Sequence, residues 1–414
     1  MVCWHSTLKY NSSKSAFSSL QKSTKDNASR IKSFSEAYTH GGIDGLMKTM
    51  NDDMDAWKKE LFRVAVIGDS GTGKSSFINA LRGITDPDQK GYASVDEVEN
   101  TMEVTEYPHQ AHENFVLCDL PGVGTPRFPK ERYLKAVNVD TYDFFIIITA
   151  SRFMENDAWL AKEVSKRNKS FYFVRTKIDQ DVYSAYKNRK KSPEETVAKI
   201  RADTQKKILE LDPSLPPTVF LVDNYNTRDY DFGKLTQKIS ENLPSLRRDA
   251  FVMSLTTITS NVLEEKKRVL RNRILLVAAG SAIAAAFPIP GAGLAVDLAI
   301  FKNEIAFYRK QLGTDDKTLK MFSQKYNIPL DELTKDKGVT SKMLLRSGVA
   351  LANLTAKEAL EVALDFVPIV GNIVGGFTAY PFCVVTLRNI LNVCIEEAEI
   401  LNNTLYERMR STRL

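Results

Sequence analysis

Hydrophobic and polar positions divide the chain into three zones with different periodicities. Residues 1–60 favour short helical pieces that Gly41 and Gly42 interrupt. Residues 61–245 alternate short apolar runs with charged stretches at helical spacing, which is typical of a parallel sheet with crossover helices. Residues 246–414 keep helical spacing only. The pattern therefore predicts an amino-terminal helical segment, an α/β domain and a carboxy-terminal helical domain.

The middle zone has six candidate strands: five are short apolar runs, and the sixth, at 102–107, is expected because a second edge strand usually precedes the third. They span residues 62–67, 102–107, 115–117, 144–149, 171–175 and 218–222. Such runs are typical of strands that are buried on both faces of a sheet. After the last of them, apolar side chains recur every three or four residues, and this spacing predicts helices. The helical series ends with Leu298, Phe301, Ile305, Tyr308 and Leu312 before Gly313.

Composition and charge exclude several classes of protein. Apolar residues make up 43% and charged residues 26% of the 414, so a mainly disordered chain is excluded. The formal net charge of +6 is too small to predict nucleic-acid binding. The four cysteines are far apart and form no C-x-x-C pair, which argues against a disulfide framework or a zinc site and favours a reducing compartment.

Two uncharged runs raise the question of a membrane. Residues 274–296 and 366–387 contain 23 and 22 residues without a charge, lengths that can span a bilayer. Prolines interrupt both runs and leave apolar segments of about 10–14 residues, which are more typical of buried helices. Those prolines are Pro288, Pro290, Pro368 and Pro381. A shallow membrane-inserting hairpin is the alternative. The first residues show no signal peptide, and Val2 excludes N-myristoylation.

A phosphate-binding loop is the strongest motif. An apolar run leads into G-D-S-G-T-G-K-S, which fits G-x-x-x-x-G-K-[ST], and a helix over 76–81 is predicted to follow. Glycines let backbone N–H groups converge on phosphate oxygens, and the helix presents its positive end to the same anion. Lys74 is expected at the β- and γ-phosphates, and Ser75 at Mg²⁺. The predicted phosphate site comprises Gly68, Asp69, Ser70, Gly71, Thr72, Gly73, Lys74, Ser75 and Ser76.

A D-x-x-G motif follows where a nucleotide site needs it. Asp119 and Gly122 end the run at 115–117, and Asp119 comes 44 residues after Ser75. We expect Asp119 to hold Mg²⁺ through water and the Gly122 N–H to sense the γ-phosphate. D-x-x-G alone is common, so the evidence for a nucleotide site comes from its spacing after the phosphate loop. The motif therefore predicts a nucleotide bound with Mg²⁺, and the T-K-x-D motif that follows in the chain makes GTP and GDP the predicted ligands.

Polar residues that follow the last two predicted strands indicate that the base is guanine. Thr176, Lys177 and Asp179 form T-K-x-D after the run at 171–175. A carboxylate at Asp179 accepts two hydrogen bonds from the guanine edge, which adenine cannot supply, although such an aspartate can also cap a helix. Asp223 and Asn224 follow the last strand and are assigned to the guanine pocket, where the usual Ser-Ala pair is absent.

The catalytic group is less evident. Val123 stands where small GTPases carry a glutamine that orients water, so intrinsic hydrolysis is expected to be slow unless another group substitutes. Thr101 is the candidate hydroxyl for Mg²⁺ and catalysis, with Ser94 in reserve. Glu97 and Glu99, in the same loop, are candidate catalysts. By residue chemistry alone, however, each is more typical of an exposed loop residue than of a catalyst.

These motifs resemble one family. G-D-S-G-T-G-K-S-S-F-I-N-A-L-R-G, D-L-P-G-V-G-T-P-R-F-P, S-R-F-M-E-N-D-A-W-L-A-K and F-Y-F-V-R-T-K-I-D-Q-D are similar to sequences of the interferon-inducible immunity-related GTPases. The resemblance runs from about residue 30 to about residue 330. It implies a dynamin-like GTPase: a Ras-like G domain on a helical domain built from both chain ends. It also aligns Glu99 with the family's catalytic glutamate, and Lys74 groups the chain with the effector-like members.

The same resemblance implies partners and a location. Members dimerise through their G domains, form GTP-dependent homo-oligomers, associate with related GTPases, and act peripherally on intracellular membranes. The implied location is cytoplasmic, at the endoplasmic reticulum, the Golgi or a pathogen vacuole, in cell-autonomous immunity. The chain departs from the family in lacking a myristoyl signal, in Asp223, and in its long apolar segments.

Two other readings stay open. Val123 is compatible with a non-catalytic, nucleotide-dependent scaffold or switch. The two uncharged runs are compatible with a GTPase regulator that carries an integral membrane hairpin. No nucleic-acid partner is expected.

Overall fold

A computed structural model describes residues 29–42, 44–53, 55–84, 86–95, 103–110, 112–125, 127–255, 259–286, 292–333, 340–346 and 374–411. The chain divides into two compact units. The sheet unit contains Trp57–Lys266 and the residues from Asn402 onward. The helical unit contains the residues up to Ala56 together with Lys267–Leu401. Each unit is therefore assembled from segments that are distant in sequence.

Among the described residues, six strands form one mixed sheet in the order β2-β3-β1-β4-β5-β6. Only β2 runs antiparallel, beside β3, and the other neighbours are parallel. This arrangement, with a separate helical unit, confirms the predicted fold class. The strands are β1 (Phe62–Ile67), β2 (Thr105–His109), β3 (His112–Asp119), β4 (Phe144–Thr149), β5 (Ser170–Arg175) and β6 (Val219–Leu221).

Burial explains why the central strands form where they do. All six residues of β4 are buried, and β1 is buried at every position except Arg63. A parallel strand that is covered on both faces needs such a continuous apolar sequence. The edge strand β2 is largely exposed instead. It begins at Thr105, within the predicted 102–107, and extends to His109.

Helices cover the sheet and connect its strands. The loop after β4 adds to this cover, because its Phe153 meets Phe173 of β5 edge to face with ring centroids 4.3 Å apart, an arrangement that aromatic pairs favour. The helices of the sheet unit are α1 (Lys74–Arg82), α2 (Lys130–Ala136), α3 (Glu155–Lys166), α4 (Ile178–Arg189), α5 (Pro193–Leu211), α6 (Phe232–Glu241) and α7 (Ser245–Ser254), with 3₁₀ turns at Ala56–Lys59 and Val139–Thr141.

Helices alone build the described part of the other unit. Its amino-terminal helical residues are 29–42 and 44–53, and Gly42 has a φ of 59°, in the left-handed region. The remaining helices are α8 (Ser260–Ala286, which starts in the sheet unit), α9 (Ala292–Leu312), α10 (Asp316–Tyr326), α11 (Leu330–Leu333), α12 (Ser341–Arg346) and α13 (Val374–Ser411, which ends in the sheet unit).

A buried ion pair joins α8 to α9. The guanidinium of Arg273 donates to both carboxylate oxygens of Glu304 at 2.7–3.1 Å and lies 4.0 Å from the centre of the Phe307 ring. Bidentate geometry and an aromatic face together suit arginine rather than lysine. The pair offsets the cost of placing two charges inside the helical core.

Pro381 differs from its predicted role as an interruption. It lies inside α13 and does not end the helix. A proline within a helix costs about 3 kcal/mol. The turns after it bury Cys383, Val384 and Leu387, and this burial outweighs that cost. Pro288, Pro290 and Pro368 lie outside the described residues. Within the described ranges, no helix has both the length and the apolar character needed to cross a membrane.

The end of α13 packs on the loop that follows β6. The guanidinium of Arg228 lies 5.0 Å from the centre of the Tyr406 ring, and the Tyr406 hydroxyl donates to Asp229 at 3.4 Å. Both segments belong to the sheet unit. A cation over an aromatic face and a hydrogen bond thus fix the last turns of α13 to this loop.

Candidate nucleotide-binding site

The phosphate loop connects β1 to α1 in a conformation that only glycine permits at two points. A Cβ atom on Gly68 would collide with the carbonyl oxygen of Ile148 in β4. Gly73 has a φ of 85°, in the left-handed region, and directly precedes the first residue of α1. The hydroxyl of Thr72 donates to the carbonyl oxygen of Asp69 at 2.8 Å and closes the turn. The loop is therefore held tightly before the helix begins.

The Lys74 side chain folds back over this loop. Its amine donates to the carbonyl oxygens of Gly68 at 3.0 Å and Asp69 at 3.2 Å, and the residue is only 7% exposed. Burial lowers the pKa of the Lys74 amine, while the carboxylates of Asp119 and Asp69 oppose the shift. The ammonium group thus lies among oxygen atoms, on the side of the loop where phosphates are expected.

The D-x-x-G segment runs beside the same loop. Asp119 ends β3, is buried, and lies opposite Val66 of β1 in the register of the parallel pair. A Cβ atom added to Gly122 would be 3.4 Å from the Asp69 carboxylate. The structure therefore brings Asp119 and Gly122 together with the phosphate loop, as the spacing predicts.

The end of β5 is tied to the phosphate loop through Thr176. Its hydroxyl donates to the carbonyl oxygen of Thr72 at 2.6 Å, and its backbone N–H donates to Thr149 of β4 at 2.9 Å. Lys177 follows with a φ of 59°, an uncommon conformation for a residue other than glycine. Asp179 is then the second residue of α4, not its N-cap.

The loop after β6 also contacts the phosphate loop. The Asn224 side-chain amide donates to the carbonyl oxygen of Gly73 at 3.1 Å. The fully buried Asp223 accepts hydrogen bonds from the backbone N–H groups of Tyr225 at 2.8 Å and Asn226 at 3.2 Å. In this structure Asn224 reaches the site, while the Asp223 carboxylate shapes its own loop.

Several predicted residues share this region, and others fall outside the described residues. Ser70 and Gly71 are exposed at the tip of the loop, Ser75 is half-buried in the first turn of α1, and Ser76 is buried beside it. Glu97, Glu99 and Thr101 lie outside the described residues. Their predicted roles stay predictions.

Asn156 and Asp157 make contacts near the site that were not predicted from the sequence. The Asn156 amide donates to the carbonyl oxygen of Val123 at 2.9 Å. Asp157 accepts from the Met154 N–H at 2.9 Å, and burial, reinforced by the nearby Asp69 carboxylate, raises the Asp157 pKa to about 7. Both residues sit in the first turn of α3, and the sequence signal for them is the stretch S-R-F-M-E-N-D-A-W-L-A-K, which resembles the family.

Comparisons with known proteins agree with this geometry. The family model described as interferon-inducible GTPase (IIGP) matches residues 27–401. The chain belongs to the interferon-inducible GTPase family. The resemblance seen in the motifs is thereby confirmed.

Relatives in this interferon-inducible GTPase family show how far the similarity extends. T-cell-specific guanine nucleotide triphosphate-binding protein 2 of Mus musculus is 39% identical over 271 residues, 65% of each chain. Interferon-inducible GTPase 1 of Mus musculus is 36% identical over 71% of each chain. Interferon-inducible GTPase 5 of Rattus norvegicus is 31% identical over 88% of this chain and 80% of its own. The chain thus spans slightly less than two thirds of the first of these relatives.

A solved structure adds little to the family assignment. A bacterial selenocysteine-specific elongation factor is 17% identical, with a TM-score of 0.29, over 44% of this chain and 28% of its own. A likeness at that level supports no argument about this chain.

Proposed function

We propose that this chain binds guanine nucleotides at the phosphate loop, together with Mg²⁺, and hydrolyses GTP. One observation carries the proposal. Thr176 and Asn224 come from two other segments, and both donate hydrogen bonds to carbonyl oxygens of the phosphate loop, as does the loop's own Lys74. The segments that would bind the phosphates and the base are thus held together as one site. A Gly-rich turn without a ligand would not require these contacts. Membership in a family of GTPases supports the same conclusion.

Each group has a defined task in this proposal. Backbone N–H groups of the loop and of the first turn of α1 bind phosphate oxygens, because a helix amino terminus favours anions. The Lys74 ammonium exchanges its two carbonyl partners for the β- and γ-phosphates. The Gly122 N–H then contacts the γ-phosphate, since its segment already lies beside Asp69.

The residues present fit a magnesium ion. The Ser75 hydroxyl and the Asp119 carboxylate are hard oxygen donors of the kind that Mg²⁺ prefers. Asp119 is near enough to Lys74 that its charge raises the pKa of the Lys74 amine against the lowering by burial. When bound, the ion neutralises charge that develops on the β- and γ-phosphate oxygens. Thr101 is proposed as the third protein ligand.

Base selection is assigned to Asp179. Its carboxylate would accept from two donors on the guanine edge, and Lys177 would lie along the ring. Xanthine carries an oxygen where guanine carries its amino group, so the variant Asp179→Asn should weaken GTP binding and favour XTP. Calorimetric titration of both nucleotides into the wild type and the variant tests this. Unchanged selectivity would exclude Asp179 as the base-reading residue.

The decisive experiment is GTP turnover over a range of protein concentrations. We expect turnover that requires Mg²⁺. The specific rate should rise with protein concentration, because two copies that associate through their G domains are expected to activate each other. Lys74→Met is the matched control: it keeps a long apolar side chain in the buried position but removes the charge, and it should abolish turnover. No turnover by the wild type at any concentration would refute the proposal.

A non-catalytic switch is the second candidate, and Val123 favours it. This side chain cannot orient water, and it is buried within the apolar cluster of the sheet unit. Glu99 is the proposed substitute for the missing glutamine. The variant Glu99→Ala separates the candidates: loss of turnover with GDP binding retained supports catalysis by Glu99. Negligible turnover in both proteins supports the switch.

We infer further that copies of the chain associate through their G domains and act peripherally on intracellular membranes in defence against vacuolar pathogens. The family and the interferon-inducible relatives support the immune role. Assembly and membrane action rest on the resemblance alone. Light scattering with GTP against GDP tests assembly. Carbonate extraction of cell membranes tests attachment, because a peripheral protein is released whereas an inserted hairpin stays in the pellet.

A further inference from the structure

The loop after β6 carries a tyrosine that reaches the start of the phosphate helix. The Tyr225 hydroxyl lies 3.3 Å from the Ser76 hydroxyl, at the third residue of α1. The Tyr225 backbone is fixed, because its N–H donates to the Asp223 carboxylate at 2.8 Å. The Tyr225 ring nevertheless remains 63% exposed. An aromatic ring of that size is thus presented to solvent beside the phosphate site.

Tyr225 and its neighbour Asn224 connect the two halves of the proposed site. Asn224 contacts Gly73 at the end of the phosphate loop, and Tyr225 contacts Ser76 one turn further on. A nucleotide with its phosphates over this loop and its base at Asp179 must pass its α-phosphate and sugar between these segments. Tyr225 lies beside that path, since it directly follows Asn224 in the loop after β6 and its hydroxyl meets Ser76 in the first turn of α1.

We propose that Tyr225 covers the sugar and α-phosphate of the bound guanine nucleotide, with its hydroxyl donating to an α-phosphate oxygen. The inference rests on the proposed function and adds a ligand contact to that site. A hydroxyl that now meets Ser76 needs only a small rotation to donate to an anion bound at the first turn of α1. The exposed ring supplies an apolar cover for the sugar, and an aromatic cover slows the release of a bound nucleotide.

The ring and the hydroxyl are tested by separate variants. Tyr225→Ala removes both, and Tyr225→Phe removes the hydroxyl alone. By calorimetry with unlabelled ligands we expect Tyr225→Ala to weaken GDP and GTPγS equally, by about tenfold, because both ligands share the sugar and α-phosphate. Tyr225→Phe should weaken them by only about threefold. Tyr186→Ala is the control, since Tyr186 is 59% exposed on α4 with Lys190 over its ring.

The contact with the α-phosphate has its own readout. The two diastereomers of GDPαS place sulfur on different α-oxygens, and sulfur is a poorer hydrogen-bond acceptor. Wild type should prefer one diastereomer, and Tyr225→Phe should lose most of that preference. A residue that merely shapes the loop would not change the preference between diastereomers. Thermal unfolding of each variant without nucleotide checks that it folds.

The outcomes separate this inference from the proposed function. If wild type binds GDP and Tyr225→Ala binds it equally well, the inference is overturned and the proposed function stands. If Tyr225→Phe keeps the wild-type preference between diastereomers, the α-phosphate contact is overturned. If wild type binds no guanine nucleotide, the proposed function fails and the inference fails with it.

Discussion

The Thr176 hydroxyl donates a 2.6 Å hydrogen bond to the carbonyl oxygen of Thr72, 104 residues earlier in the chain. Thr176 is fully buried, so water does not compete for this bond. The bond joins the strand end that precedes Asp179, the proposed base-reading residue, to the loop proposed to bind phosphates. The geometry of one half of the site therefore depends on the other.

Replacing this hydroxyl should loosen the phosphate loop. Thr176→Val keeps the shape of the side chain but leaves the Thr72 carbonyl without this donor, and we expect a loss of about 1–3 kcal/mol in unfolding free energy. GDP affinity should fall as well. Chemical denaturation and calorimetry measure the two effects. Thr176→Ser retains the hydroxyl and should restore most of both; equal behaviour of the Val and Ser variants would contradict this account.

Introducing the missing glutamine should not create a faster enzyme. Val123 is 6% exposed, and its carbonyl oxygen is held by Asn156. In Val123→Gln the polar group would be buried, so we expect the protein to lose about 1–3 kcal/mol of stability without a gain in turnover. Val123→Leu is an apolar control of similar length. A rise in turnover in the Gln variant alone would show that this position can orient water.

His109 makes the fold sensitive to acid. It is 5% exposed, with the His112 ring centroid 5.5 Å away. Burial, with smaller effects of the charges on His112, Arg82 and Lys266, lowers its pKa to about 3. The unfolded chain binds this proton near pH 6.5. Between these values the unfolded state holds more protons, so stability falls as pH drops from about 6.5 to about 3.

His109→Phe removes this titration and keeps an aromatic ring beside His112. The variant should therefore lose less stability than wild type between pH 7 and pH 5. Urea midpoints at the two pH values measure the difference. Parallel pH profiles for the two proteins would rule out His109 as a source of acid sensitivity.

The buried pair in the helical unit gives a test through single and double variants. Glu304→Ala leaves the Arg273 guanidinium buried without its carboxylate, and we expect a loss of about 3–5 kcal/mol in unfolding free energy. The double variant Arg273→Met with Glu304→Leu removes both charges and should recover most of that loss. Denaturant midpoints of the single and double variants measure this. A double variant as unstable as Glu304→Ala would show that packing, not charge, dominates here.

The sequence predicts the sheet well because its signals are local. The central strands β1 and β4 match the predicted ranges 62–67 and 144–149, since strands buried on both faces need continuous apolar runs. The edge strand β2 is displaced toward His109 because exposure on one side weakens its pattern. The phosphate loop is also a local signal, set by glycines at fixed positions.

Other features depend on tertiary contacts that no short pattern encodes. Asn156 reaches the carbonyl of Val123 from a different helix, and Tyr225 reaches Ser76 across 149 residues. Asn156 lies in the stretch S-R-F-M-E-N-D-A-W-L-A-K that resembles the family, but that stretch does not reveal its partner, and Tyr225 belongs to none of the motifs. Pro381 shows the converse case, because a strong local signal for helix termination is overridden by burial of the turns that follow. Sequence motifs thus locate the phosphate and base positions, whereas the residues that contact them from other segments are set by tertiary packing.

The clamp of Tyr406 on Arg228 and Asp229 has a practical consequence for kinetic work. The clamped loop is continuous with Asn224 and Tyr225, so its motion is restrained from a point 177 residues further along the chain. A fluorescent protein or purification tag joined to the carboxyl end is expected to disturb the contacts of Tyr406 with Arg228 and Asp229. Nucleotide release measured on such a fusion then reports the tag as well as the site, whereas a label on an exposed residue of the helical unit, such as Lys32, avoids the problem.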